Sequence, residues 1–323
     1  MSAIFARAVL GTVYPSLTDN TARWAFIAAI SLVSATGLWA LGVGIAWDSL
    51  LPLLERPALF LVFAVAYSAV GRRVPRLALP MRVASDFLQS GLQVMAIMFA
   101  FLPLSYLAAV PDIPLIDTEL ARLDVLLFGF EWDATARWLA DRPMLDQVLQ
   151  AAYFSAAYQA IAVLLIGSIA DPTDRNGEFL WTFGIGLILT CAVFVFTPAL
   201  GKVGHVGGYI DTLTTIRSGL WTVLDYSRAE GIVTFPSFHA TLAVLFVYAV
   251  RRHRWVLVVF VPLNVLLIAA TPTVGGHYLV DLPAGAIVAV ASIAVTRALR
   301  RRLFASRARV QICFQEGHPW LPA

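Results

Sequence analysis

The chain has 323 residues, of which 59% are hydrophobic and 13% charged, with a net charge of +3 and a mean hydropathy of +0.79. Soluble domains carry about 25% charged residues, so this balance excludes one and places most of the chain in lipid. The small positive charge calls for no nucleic-acid partner, because arginine-rich loops facing anionic lipid account for it.

In chain order, eight apolar stretches reach the roughly 20 residues that a bilayer crossing needs. They run 24–46, 51–70, 84–110, 145–170, 180–200, 236–250, 255–271 and 278–295. The first has no small-residue cleavage site after a short apolar core and reads as a retained anchor. Glu55 and Arg56 leave the start of the second open. No long linker, charge block or internal repeat divides the chain. Cys191 falls in the fifth stretch and Cys313 in the tail, too far apart for a disulfide, and their spacing offers no metal site.

Basic residues orient these crossings. With a cytoplasmic N-terminus, sixteen of the 23 Lys and Arg residues fall on inner segments and seven on outer ones. That bias predicts both termini in the cytoplasm. The arginine-rich, lysine-poor composition points to a GC-rich bacterial genome, hence a bacterial plasma membrane. His239, His277 and Asp281 then lie at outer helix ends, with Lys202 and Arg217 in the outer loop before the sixth stretch. The outer segment 117–142 mixes Leu, Phe and Trp with acids in near-helical rhythm, as an interfacial helix roofing a cavity or a plain connection would.

Local chemistry at these ends suits an anion. Proline is tolerated in the first turn of a helix, so Pro236 predicts a helix start. The N–H groups of Ser237, Phe238 and His239 are then left unpaired at the positive end of the dipole, a phosphate site. Residues 236–250 span only about 22 Å, so this end is expected to be recessed in a core near 30 Å. His277 and Asp281 are four residues apart and share a face if helical. The carboxylate then accepts a hydrogen bond from Nδ1–H and leaves Nε2 as a lone-pair nucleophile. Gly275 and Gly276 permit a tight turn just before it.

Pro236-Ser237-Phe238-His239 and His277-x-x-x-Asp281 resemble the second and third signature motifs of the type 2 phosphatidic acid phosphatase superfamily. The longer strings 234–240 and 271–281 are similar to its inositolphosphotransferase-like branch, typified by inositol phosphorylceramide synthase. The resemblance covers about the third to eighth spans and implies an all-α integral membrane protein of about eight transmembrane helices with a six-helix core. On that reading, residues 1–80 are an N-terminal segment with two additional transmembrane helices, 81–300 the catalytic core and 301–323 a basic cytoplasmic tail. It further implies that His277 attacks phosphorus, Asp281 holds it, and His239 protonates the leaving oxygen and later activates the acceptor. The Ser237 hydroxyl and nearby N–H groups, including that of Phe238, are expected to bind phosphate. No cofactor is implied.

Three positions depart from the family pattern. Phe238 stands where Gly is common, Thr271 where an arginine often precedes the nucleophile by six residues, and no Lys-x6-Arg-Pro first motif is present. Phosphate charge must still be neutralised. Lys202, the only lysine, follows Pro198 and Gly201 near where the first motif should fall, and Arg217 lies in the same loop. Both are candidate phosphate ligands, and interfacial cations touching headgroups are equally compatible with their positions. His205, His253 and His318 are expected to be inert. Asp86, Gln89, Gln93, Tyr153, Tyr158, Gln159 and Asn264 are intramembrane polar groups, suited to interhelical hydrogen bonds or a headgroup pocket.

The functional expectation is a metal-independent phosphatase or phosphotransferase acting on a lipid-linked phosphoester at the extracytoplasmic face. Its partners are a lipid phosphate, membrane lipids and an inositol, glycan or lipid hydroxyl acceptor. The alternative is a non-enzymatic lipid-binding or lipid-translocating protein with a degenerate site. A vanadium haloperoxidase, also in the superfamily, needs a denser cationic cradle than these residues supply.

Overall fold

The computed structural model describes residues 2–74, 77–170, 175–204 and 209–315, with backbone alone for 2–18, 56–57, 72, 175, 203–204, 209 and 302–315. The elements are α1 (Ser2–Ala40), β1 (Gly44–Ile45), α2 (Trp47–Arg73), α3 (Ala78–Ala108), α4 (Asp117–Phe128), α5 (Trp132–Ala140), α6 (Pro143–Ala170) and α7 (Arg175–Phe196). They continue with α8 (Gly201–Gly204), α9 (Tyr209–Arg217), β2 (Val223–Leu224), α10 (Phe238–Val250), α11 (Arg254–Val274) and α12 (Asp281–Gln315). Seven of the described helices are long and apolar enough to cross a membrane. The sixth expected crossing, 236–250, corresponds to α10, an apolar helix of 13 residues. The chain is an all-α integral membrane protein.

Helix ends shift from the hydropathy boundaries. The first span stops at Ala40 and not at residue 46, and the fifth stops at Phe196, ahead of Pro198. Hydropathy reports composition, whereas the end is set by where the backbone can no longer continue its hydrogen bonds.

The short α10 stands at the centre, against α6, α7, α11 and α12. Leu245 and Phe246 on it are fully buried, and Phe246 stacks on Phe179 of α7 at 6.1 Å. Two-thirds of the most apolar window of α7 is buried but only 6% of that of α2, which packs on α3 and otherwise faces lipid.

In hydrocarbon no hydrophobic force draws helices together, so close packing and polar pairs must hold them. Asn264 Nδ2 on α11 donates to Gln159 Oε1 on α6 at 2.7 Å. Asp86 on α3 accepts from Ser168 on α6 at 2.8 Å and Asn176 on α7 at 3.0 Å. Arg23 on α1 is paired with Asp19 and donates to Gln93 on α3 at 3.0 Å, while Trp181 on α7 donates to Asp19 at 3.0 Å. These intramembrane polar groups are interhelical hydrogen bonders.

The segment after α3 folds over one end of the bundle as two helices, α4 and α5, not one helix or a plain loop. Gly129 at φ 60° ends α4, and Trp132 Nε1 at the start of α5 donates to the Pro272 carbonyl at 2.7 Å. At the same end, β1 pairs in parallel with β2, tying the α1–α2 connection to the segment that leads into α10. Tyr226 N–H donates to Ser49 Oγ at 3.0 Å beside that pairing.

Candidate active site

The N-terminus of α10 is built by its serine. Ser237 takes an extended conformation and its Oγ accepts the Ala240 N–H at 3.3 Å, so it is the N-cap and the helix begins at Phe238, two residues after the Pro236 start expected from sequence. The capping hydroxyl thus spends one lone pair on the helix, and its O–H remains able to donate to an anion. The Ser237 N–H is also taken, donating to the Asp281 carbonyl at 3.2 Å and stitching α10 to α12. The N–H groups of Phe238 and His239 keep no protein acceptor among the described residues. The Phe238 ring turns away from the mouth, stacking on Phe101 at 6.5 Å and meeting Phe183 edge-on at 5.8 Å.

His277 lies in the loop between α11 and α12, and Asp281 is the first residue of α12. The pair therefore does not share a helical face; the loop folds back across the helix start and makes the contact all the same. The His277 Nδ1–H donates to Asp281 Oδ2 at 3.0 Å, and the Tyr278 N–H donates to the same oxygen at 3.0 Å. His277 is 6% exposed and Asp281 fully buried, which leaves Nε2 as the working atom of the imidazole. Thr271 is buried inside α11, bonded through Oγ1 to Leu267, and brings no charge to the site.

Two glycines in the left-handed region bring the Lys202 turn against this loop. Gly201 and Gly276 sit at φ 69° and 67°, and a Cβ on Gly201 would lie 2.6 Å from the Gly276 oxygen. The Lys202 N–H donates to that same oxygen at 2.7 Å. Its ammonium reaches Asp133 at 3.8 Å.

Two buried aspartates of α4 hold these turns, and sequence reasoning missed both. Asp117 accepts the N–H groups of Leu200 and Gly201 and the Tyr278 hydroxyl, at 2.9–3.1 Å. Two turns further along the same face of α4, Asp124 accepts the N–H groups of Leu279 and Val280 at 2.7 and 2.8 Å. Burial pushes the Asp124 carboxyl above the usual carboxylate range, opposed by those two N–H donors and by the Lys202 charge. Burial also raises the Tyr278 phenol, helped by Asp117, Asp281 and Asp124, so it stays a proton donor to Asp117. An alternation of acids with apolar residues seven positions apart was the available signal.

His239 and His277 come together at one end of the bundle, within electrostatic reach of each other. His239 also meets a residue that no motif contains. Tyr153 of α6 places its Oη 3.1 Å from His239 Nδ1, with the rings stacked at 4.2 Å. Arg217 is at the same end but is not joined to this group by any described contact. Its guanidinium faces Asp112 at 3.6 Å and the Ala109 carbonyl at 3.4 Å, off the end of α3. His253 caps α11, whereas His205, His318 and the side chain of Cys313 lie outside the described residues. Cys191 is a buried free thiol. Among the described residues no group of three or more His, Cys, Asp and Glu side chains is placed to hold a metal.

A family model described as the PAP2 superfamily matches residues 118–295, more than half of the chain, and takes in both histidine motifs. The chain belongs to the PAP2 superfamily. It is thus a membrane enzyme of the phosphatase type, with the PAP2 motifs at the mouths of α10 and α12. No curated protein and no solved structure matches the chain.

Proposed function

We propose that this PAP2 protein transfers the phosphoryl group of a lipid phosphoester through a phosphohistidine on His277. The carrying observation is the 3.0 Å bond from His277 Nδ1–H to Asp281, which commits the lone pair to Nε2. Nε2 attacks phosphorus, the bond from phosphorus to the lipid oxygen breaks, and His239 gives its Nε2 proton to that oxygen. In the return step His239 takes a proton from the acceptor, whose oxygen displaces His277 from phosphorus. The free N–H groups of Phe238 and His239 and the Lys202 ammonium supply the positive field for the phosphate oxygens. With nucleophile, proton carrier and cation all supplied by side chains, the chemistry is read as metal-independent. Arg217 enters only by releasing Asp112.

The substrate class is a lipid phosphate such as phosphatidic acid, a polyprenyl (di)phosphate or a phosphoinositide. The acceptor is water or a hydroxyl of inositol, a glycan or a lipid. The strings 234–240 and 271–281 favour the inositolphosphotransferase-like branch and hence a hydroxyl acceptor. The distribution of basic residues favours an extracytoplasmic site with both termini cytoplasmic, and the motif resemblance favours residues 81–300 as the catalytic core.

Purified protein in mixed micelles should release phosphate from phosphatidic acid, and acid-labile label should be trapped on the protein from a labelled lipid phosphate. His277→Ala should abolish both. Undiminished turnover in His277→Ala would remove the phosphohistidine from the scheme; no turnover by the wild type on any lipid phosphate, with lipid still bound, would favour a binding protein.

A further inference from the structure

The two site histidines carry different partners on the same ring atom. His277 gives Nδ1–H to a carboxylate, whereas His239 Nδ1 faces the neutral phenol of Tyr153 at 3.1 Å. In both rings this ties up Nδ1 and leaves Nε2 as the atom available to substrate. The partners nonetheless suit opposite tasks. A buried carboxylate beside an imidazole makes Nε2 more electron-rich and favours a ring that keeps its proton, as a nucleophile awaiting charge requires. A proton donor must instead let its proton go, and a carboxylate on Nδ1 would hold the imidazolium too firmly. A phenol oxygen accepts from Nδ1–H without adding charge, and its ring, stacked at 4.2 Å and 25°, offers a π face to the transient cation.

The surroundings preserve this placement. Tyr153 comes from α6, across the bundle from both motifs, and is half-buried. Gly275, two residues before His277, has room for it only because it lacks a side chain: a Cβ there would stand 2.8 Å from Tyr153 Oη. The glycine pair before the nucleophile therefore serves two turns of chain, Gly276 toward Lys202 and Gly275 toward the phenol.

We infer that Tyr153 is the positioning residue of His239, accepting its Nδ1–H so that Nε2 alone faces the phosphate and its proton stays transferable to the leaving oxygen. The inference rests on the reading of His239 as proton carrier. The proton on Nε2 moves to the lipid oxygen as the bond from that oxygen to phosphorus breaks and the bond from His277 Nε2 to phosphorus forms. The His239 Nδ1–H stays hydrogen-bonded to Tyr153 Oη throughout.

The test uses the full chain and two substrates, phosphatidic acid and a long-chain nitrophenyl phosphate. An alkoxide needs a proton to leave; a nitrophenolate leaves without one. Tyr153→Phe keeps the stack and removes only the oxygen, and kcat/KM reports the steps up to phosphohistidine formation. The expected result is a drop of about tenfold to a hundredfold in kcat/KM on phosphatidic acid, within the range that general acid catalysis supplies, with a loss at least several-fold smaller on the nitrophenyl ester. The second substrate also reports that the variant is folded. Equal losses on both substrates would reduce Tyr153 to a structural contact, and no loss on either would remove it from the site. A wild type inert toward both would overturn the phosphohistidine scheme itself, and this assignment with it.

Discussion

At the proposed nucleophile a single oxygen, Asp281 Oδ2, accepts from both the His277 imidazole and the Tyr278 backbone, while Oδ1 is buried without a partner among the described residues. Asp281→Asn replaces that acceptor by a group that can turn its NH2 toward Nδ1. The imidazole then carries its proton on Nε2 and loses the lone pair. A fall of roughly 10³-fold in kcat with the fold retained is the expected outcome, read from phosphate release beside a melting curve. A variant within tenfold of wild type would mean that His277 is oriented by something else. The placement of His239, His277 and Asp281 at one end of the bundle was legible in the sequence because all three lie at the ends of apolar stretches. Ser237 was legible as a position, and its capping of α10 was not, since a hydroxyl beside a helix start serves the helix as readily as an anion. Tyr153 was not legible: within an apolar span one tyrosine looks like another, and only the crossing of α6 past α10 brings it to His239.

At the scale of elements, α4 is a clamp. Its two carboxylates accept from four backbone N–H groups and one phenol in the turns that carry Lys202 and His277. Asp124→Leu leaves the part-buried Leu279 and Val280 N–H groups without protein acceptors, at a cost of at most about 1–3 kcal/mol each. Melting temperature in detergent should fall and activity with it, whereas Glu119→Ala on the exposed face of α4 should leave both near wild type. Unchanged melting in Asp124→Leu would show that the loop holds its shape unaided. Seven of the eight expected crossings are long apolar helices, because hydropathy over 20 residues is a strong signal, and the sixth is the shorter α10. Their ends and the fold of 117–142 were not legible, because caps, left-handed glycines and buried acids act over one or two residues. The same limit explains His277: a four-residue spacing suggested a helix, and the Gly275–Gly276 pair made a loop that closes the same contact.

For the whole molecule, the length of α10 matters most. Its 13 residues cover about 20 Å against neighbours that cover about 30 Å or more, so the histidine end of the bundle sits below its rim. On the proposed function, a headgroup has to descend to react. Reconstituted in short-acyl phosphatidylcholine, where the headgroup plane is closer to that depth, the protein should turn over lipid phosphate several-fold faster than in long-acyl bilayers; equal rates in both would mean that substrate arrives by another route.

Asp117 stands one residue ahead of the stretch that the PAP2 pattern delimits. Trimming a clone to those borders would cut away the carboxylate that clasps Leu200, Gly201 and Tyr278, together with all of α3 and the polar seam it shares with α6 and α7. Both histidine motifs would survive such surgery intact, and the scaffold that makes them neighbours would not.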